Sequence, residues 1–103
     1  MIKMTSDPIE QMRANATAAE NLLKSLANAN RLMILCHLVN GELSVGELER
    51  LVGLSQSALS QHLARLRHQN ILSARKEGTT VYYSLRDQNT AKILQQLYAI
   101  YCQ

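Results

Sequence analysis

Apolar residues return every three or four positions between residues 9 and 26 (Ile9, Met12, Ala16, Ala19, Leu22, Leu23, Leu26), the stripe of an amphipathic helix. Pro8 suits the first turn of that helix, where its missing N–H is not needed. From 29 to 38 the pattern is denser: Leu32, Met33, Ile34, Leu35, Cys36 and Leu38, with Val39 just beyond, leave little polar face. This predicts a second helix buried nearly all round, ending near Asn40-Gly41. Ser44 followed by Glu47 is a capping box, which opens a short helix over 45–52 that stops at Gly53. Ser55 is then the N-cap of a helix running to about His68, with Leu59, Leu63 and Leu66 on one side. Two short helices about a Gly-containing turn make a helix-turn-helix over 44–68.

Past Asn70 the period changes from 3.6 to 2. Residues 71–76 and the alternation Val81, Tyr83, Leu85 around a Glu77-Gly78-Thr79 loop predict a β-hairpin over 71–86. A last helix over 88–102 carries Ile93, Leu94, Leu97, Tyr98, Ile100 and Tyr101, more apolar surface than one small domain consumes, so it predicts a dimer contact. The fold class is therefore mainly α: a winged helix-turn-helix with about five helices and one hairpin wing, paired as a homodimer through its terminal helices.

Composition narrows this picture. A chain of 103 residues holds one core, so residues 1–103 are expected to form one domain. Absence of Phe and Trp makes that core aliphatic. No apolar run, residues 32–36 included, approaches the roughly 18 residues of a membrane span, and no signal pattern opens the chain, so the expected location is cytoplasmic, with no membrane partner. In such a reducing compartment the two cysteines, Cys36 and Cys102, are expected as thiols rather than a permanent disulfide. The net charge is +3, but it is unevenly spread: residues 55–86 carry Arg65, Arg67, Arg75, Lys76 and Arg86 against Glu77 alone. A basic block in an otherwise balanced chain fits a polyanion-binding surface.

With Leu59 at 0° and about 100° per residue, Leu63 and Leu66 lie within about 40° of it, while Ser57, Ser60, Gln61, Ala64, Arg65 and His68 occupy the opposite half. Small, hydroxyl, amide and guanidinium side chains on one helix face are what a major groove admits. Gln56 reaches the same face from the N-terminus. His62 sits at the margin of the apolar stripe, where a packing role and a base contact are both open, and Arg67 flanks the stripe as salt-bridge or phosphate partner. Arg75, Lys76, Thr79 and Thr80 at the hairpin suit phosphate or minor-groove contact. The implied partner is double-stranded DNA, which places the protein at the nucleoid.

The segments LANANRLMILCHL (26–38), ELSVGELERLVGLSQSALSQHLARLRHQNIL (42–72) and RKEGTTVYYSL (75–85) resemble the ArsR/SmtB family of bacterial repressors over nearly the whole chain. That resemblance implies a dimeric winged helix whose terminal helices pair the protomers, an inverted-repeat operator, and base-reading residues at Gln56, Ser57, Ser60, Gln61 and His62. Many members sense metals. Here Ser44 and Gly46 stand where thiolates would be needed, and the last helix, QNTAKILQQLYAIYCQ, has no His, Asp or Glu, so no metal site is assigned and a metal-responsive repressor is kept only as an alternative. The closer resemblance is to the persulfide-sensing branch of BigR, SqrR and HlyU type, which has one Cys in the second helix and one near the end of the last. Cys36 and Cys102 match that arrangement.

The resemblance thus implies a repressor whose operator affinity is set by reactive sulfur species, persulfides or polysulfides, through a disulfide or polysulfide bridge between Cys36 and Cys102. Extra sulfur atoms would extend the reach of a pair too far apart for a direct disulfide. His37 faces another side of its helix and is read as structural; Tyr98 and Tyr101 are placed among dimer or core residues, with lining of a thiol pocket as the alternative. A regulator or anti-silencer without a small-molecule switch is the competing reading. A thiol oxidoreductase finds no support, lacking a Cys-x-x-Cys, a nucleotide loop or a Cys/His/Asn set; the chain is read as a non-enzyme without cofactor.

Overall fold

The computed structural model describes residues 7–102. Among them five helices and a small sheet follow in the order α1 (Pro8–Leu26), α2 (Ala29–Leu38), β1 (Leu43–Ser44), α3 (Val45–Val52), α4 (Gln56–His68), β2 (Leu72–Glu77), β3 (Thr80–Leu85) and α5 (Gln88–Tyr101). Helix starts are set by side chains that satisfy orphan N–H groups. Asp7 accepts from the Glu10 N–H at 2.8 Å, Asn28 from Arg31 at 3.1 Å, Ser55 from Ala58 at 3.3 Å and Asp87 from Thr90 at 3.1 Å. The capping box forms as expected: the Ser44 hydroxyl accepts from Glu47 N–H at 3.1 Å and the Ser44 N–H donates to the Glu47 carboxylate at 2.9 Å. Hydrogen bonding from the Ser44 N–H, and then from its side chain, holds the Glu47 carboxyl below its usual range.

Gly53 closes α3 at φ 71°, a left-handed conformation that glycine adopts without a Cβ penalty. The turn to α4 follows at once. At the other end of α4, Asn70 takes φ 62°, tolerable because a short amide side chain relieves the left-handed strain, and the Ile71 N–H returns to the Leu66 carbonyl at 3.0 Å. Ile71 is thus the buried end of the helix rather than the first strand residue; its carbonyl accepts from Arg86 N–H at 2.8 Å, clasping the hairpin's base.

The wing is tighter than expected. Glu77 pairs with Thr80 inside the ladder, leaving only Gly78-Thr79 as the turn. Gly78 alone of these two has positive φ, 63°, the pattern of a two-residue hairpin that wants glycine first. The hairpin also has a third neighbour: β1 pairs antiparallel with β3, Leu43 opposite Tyr83 and Ser44 opposite Tyr82, giving the order β1-β3-β2. Two residues are too few to show a period of 2, so this strand is invisible to patterning.

The core is aliphatic, as the composition requires: Leu26, Ile34, Leu35, Leu38, Leu48, Leu59, Leu63, Leu66, Ile71, Leu72 and Leu94 are its buried apolar side chains. Helix α2 departs from expectation. Ile34, Leu35 and Leu38 are buried, but Met33 is 50% exposed and Leu32, Cys36 and Val39 are only half-buried. Among the described residues no element covers its second apolar face completely. Arg31, on the same helix, is buried and donates to the Ser25 carbonyl at 2.6 Å and the Lys24 carbonyl at 3.1 Å. A cation on the last-turn carbonyls of α1 satisfies groups that the helix leaves orphaned and complements its dipole, so α1 and α2 are joined by a polar clasp across a two-residue link.

Two outcomes follow. Leu59→Ala is expected to cost about 2–5 kcal/mol of stability in urea unfolding, against less than about 0.5 kcal/mol for exposed Ser60→Ala. His62 is half-buried, and burial together with the charges of Arg31 and Arg65 pushes its pKa down from 6.5. The folded chain then binds fewer protons than the unfolded chain, so stability falls as pH drops below about 6.5. The thermal midpoint is expected to decline between about pH 7 and 5, and His62→Gln to flatten that limb; an unchanged limb would show that other groups carry it. Glu42 and Glu47, both held low, act in a separate window, losing their contribution only as pH falls from about 4.5.

Candidate functional site

Leu59, Leu63 and Leu66 fix the rotation of α4, and the opposite face is bare: Gln56, Ser57, Ser60, Gln61, Ala64, Arg65 and His68 are all exposed. Beside its N-terminal half the chain forms a groove of about 570 Å³ lined by Ser44, Val45, Gly46, Gln56, Ser60, Thr79, Thr80, Val81 and Tyr83. Helix and wing, inferred separately from sequence, therefore share one surface: Gln56 and Ser60 face Thr79 and Thr80 across a hydroxyl-rich gap. Lys76 is exposed on β2. His62 is turned partly inward, toward the side where Arg31 lies, consistent with packing at the margin of the stripe.

Arg75 has a more specific setting than the sequence indicates. Its Nε and Nη2 donate to the two Glu42 carboxylate oxygens, both at 2.7 Å, and Nη1 donates to Glu77 Oε2 at 2.9 Å. The guanidinium lies 4.5 Å from the centroid of Tyr82, which is its opposite number on β3. Since β3 is the central strand, Arg75 reaches over it from β2 to the segment just before β1. Hydrogen bonding to Arg75 pulls the Glu42 carboxyl below its usual range, and both carboxylates raise the arginine. The group is exposed, so what it adds is geometry rather than much stability: it staples the three strands. A phosphate drawn to Arg75 has to compete with two carboxylates. Glu42 was not among the residues expected to matter; only a contact 33 positions along the chain reveals it.

The two thiols come together. Cys36, half-buried on α2, and Cys102, exposed at the end of α5, line one pocket of about 190 Å³ with Leu32, Met33, Leu94, Leu97, Tyr98 and Tyr101. Both tyrosines thus line the thiol pocket. Hydrogen bonding to the Cys36 side chain, then burial, then the charges of Cys36 and Cys102, hold the Tyr98 phenol above its ordinary pKa. Among the described residues no group of three or more His, Cys, Asp or Glu is placed to hold a metal ion.

Both terminal helices show uncovered apolar side chains. Ile9, Met12 and Leu23 of α1 and Ile100 and Tyr101 of α5 are more than half exposed, as is Leu51 on α3. Helix α1 also carries a shallow groove of about 470 Å³ walled by Met12, Ala16, Ala19, Leu23 and Ala27. No helix of the described residues is long and apolar enough to cross a membrane.

Comparison with known proteins places these features. Residues 28–74, which hold α2 through the start of the wing, match the model for bacterial regulatory proteins of the arsR family. The transcriptional activator HlyU of Vibrio cholerae serotype O1 is 47% identical over 95 residues, covering 92% of this chain and 88% of HlyU. The crystal structure of the transcriptional repressor BigR from Xylella fastidiosa superposes with a TM-score of 0.89 at 40% identity, covering 94% of this chain and 99% of BigR. A homodimeric winged helix-turn-helix DNA-binding domain from Mycobacterium bovis has a TM-score of 0.76 at 28% identity, with 93% of this chain and 86% of that one covered. An exposed polar face on α4, a stapled wing beside it, and this likeness along almost the full length lead to one conclusion: the chain belongs to the arsR family of bacterial regulatory proteins and is a winged helix-turn-helix transcriptional regulator.

Proposed function

We propose that the chain acts as a homodimeric, DNA-binding repressor whose affinity for an inverted-repeat operator falls when reactive sulfur species link Cys36 to Cys102. The observation that carries the switch is that these two thiols, on α2 and at the end of α5, wall the same small pocket. The dimer is supported by the uncovered apolar faces of α1 and α5 and by the homodimeric state of the Mycobacterium bovis domain.

In the unlinked state each α4 enters a major groove, and the two-fold pair reads half-sites about 34 Å apart. Gln56, Ser57, Ser60 and Gln61 face base edges, with His62 at the margin; Arg65 and Lys76 face phosphates, and Thr79 and Thr80 follow the backbone beside the groove they share with the helix. Arg75 joins this set either by exchanging a carboxylate for a phosphate or by holding the wing at its working angle.

The sulfur chemistry balances without a metal. The Cys36 thiolate attacks the outer sulfur of a persulfide RS–SH, forming a new S–S bond and releasing RS⁻, which takes a proton as RSH. Cys102 reacts in the same way with a second persulfide. The outer sulfur of the Cys36 persulfide then attacks Cys102 Sγ and expels HS⁻, leaving a trisulfide between the two side chains. Two thiols and two persulfides yield the bridge, two RSH and one H₂S. A covalent tie between α2 and α5 biases the angle between protomers, and a hundredfold loss of affinity requires about 2.7 kcal/mol of coupling.

Fluorescence anisotropy with an operator duplex tests the interface. Gln61→Ala is expected to cost about 1–3 kcal/mol and to relax discrimination at one base position. Lys76→Ala is expected to weaken all duplexes alike and lower the salt slope by about one. For the switch, glutathione persulfide is expected to add sulfur that links the two cysteines in intact-mass spectra and to weaken binding at least tenfold. Cys36→Ser and Cys102→Ser should keep operator affinity and lose the response. Wild-type protein left unmodified, or modified with no change in affinity, would instead leave a regulator without this switch.

A further inference from the structure

We propose that Tyr98 is the positioning residue of the thiol pocket: its phenol O–H donates to the sulfur of Cys36 while its own backbone carbonyl fixes Cys102, so that one residue orients both reacting sulfurs. This deepens, and rests on, the reading of the pocket as the sulfur-reactive site.

The pocket creates a problem that its walls must solve. Among the described residues no Lys, Arg, His, Asp or Glu lines it, and apart from the two thiols the polar side-chain groups they bring to it are the hydroxyls of Tyr98 and Tyr101. A thiolate forming against leucines and a methionine loses water, and burial disfavours the charged form unless a donor replaces that water. Tyr101 is 79% exposed, whereas Tyr98 is 38% exposed, so Tyr98 is the better held of the two. Its phenol keeps its proton more firmly because of the Cys36 sulfur first, and the field of Cys102 also reaches it. One turn further along α5, the Cys102 N–H donates to the Tyr98 carbonyl at 2.8 Å. This bond is the helix's C-cap, so Cys102 is held on the Tyr98 side of α5 at the i+4 position.

In the first sulfur transfer, Cys36 Sγ attacks the outer sulfur of RS–SH, that S–S bond breaks, and the proton goes to the departing RS⁻. Tyr98 neither gains nor loses a proton. It donates a hydrogen bond to the sulfur anion before attack, and bonds to ionised groups are the stronger kind.

The test uses the full chain in two forms. In a Cys102→Ser background, alkylation of Cys36 by iodoacetamide is followed against pH with and without Tyr98→Phe. Loss of the phenol is expected to slow the reaction about tenfold near pH 7, with the deficit closing as pH rises until the sulfur is ionised in both. Gln96→Ala, at an exposed position of α5 outside the pocket, is expected to leave rate and profile alone. In the second form, phenolate absorbance shows Tyr98 ionising at lower pH in Cys36→Ser than in wild type, with Tyr98→Phe identifying its signal. An unchanged profile in Tyr98→Phe, or slowing by the same factor at every pH, would overturn the proposal, the latter marking a packing role. Because alkylation needs no persulfide, a wild-type protein inert to glutathione persulfide would sink the sulfur switch separately.

Discussion

Everything that faces outward on α4 is decided by what it buries. Leu59, Leu63 and Leu66 lock the helix against Ile34, Leu35 and Leu48 in one aliphatic core, and no rotation keeps all three buried while turning Gln61 or Arg65 inward. The penalty for trying is large, because desolvating an amide or a guanidinium without a partner costs several kilocalories per mole. The polar face of α4 is therefore a by-product of packing. Exposed polar groups stand on a rigid element, and their orientation is secured by side chains that never meet a ligand. The same logic extends to the wing, whose base is clasped where the Ile71 carbonyl accepts from Arg86.

Features that depend on local chemistry were legible from the residues. The capping box at Ser44 and Glu47, the cap at Ser55, the stop at Gly53 and the leucine stripe of α4 each involve groups within four positions of one another. Those that depend on distant partners were not. β1 is too short to announce itself, and its pairing with Tyr82 and Tyr83 is a property of the sheet. Glu77 looked like a loop residue because it is charged and precedes glycine, yet backbone pairing needs no apolar side chain on an exposed edge. Arg31 reads as an ordinary charge in a helical pattern; only the fold brings the ends of α1 and α2 close enough for its guanidinium to meet two carbonyls. Met33 misled in the opposite sense, since an apolar residue signals burial but not whether the cover belongs to the same chain.

The cysteines show how sequence and fold divide the work. Their positions were visible through a family pattern, but their convergence on a pocket is a fact of tertiary structure, produced where α2 and α5 each lend residues to the same walls. That arrangement sets the thiols beside apolar side chains left exposed on α2 and α5, Met33 and Tyr101 among them. Tyr98 and Tyr101, read from sequence as dimer or core residues with the thiol pocket as the alternative, are placed by the fold on the walls of that pocket.

Ser44 belongs to two elements at once. Its backbone is a strand residue opposite Tyr82, while its hydroxyl and N–H hold the first turn of α3. Such double membership works like a gear tooth. The ribbon cannot tilt without turning the helix pair, and the helix pair cannot turn without carrying the ribbon. What anchors the ribbon at Ser44 therefore anchors the start of α3 as well, and the two elements share one fixed point on the polypeptide.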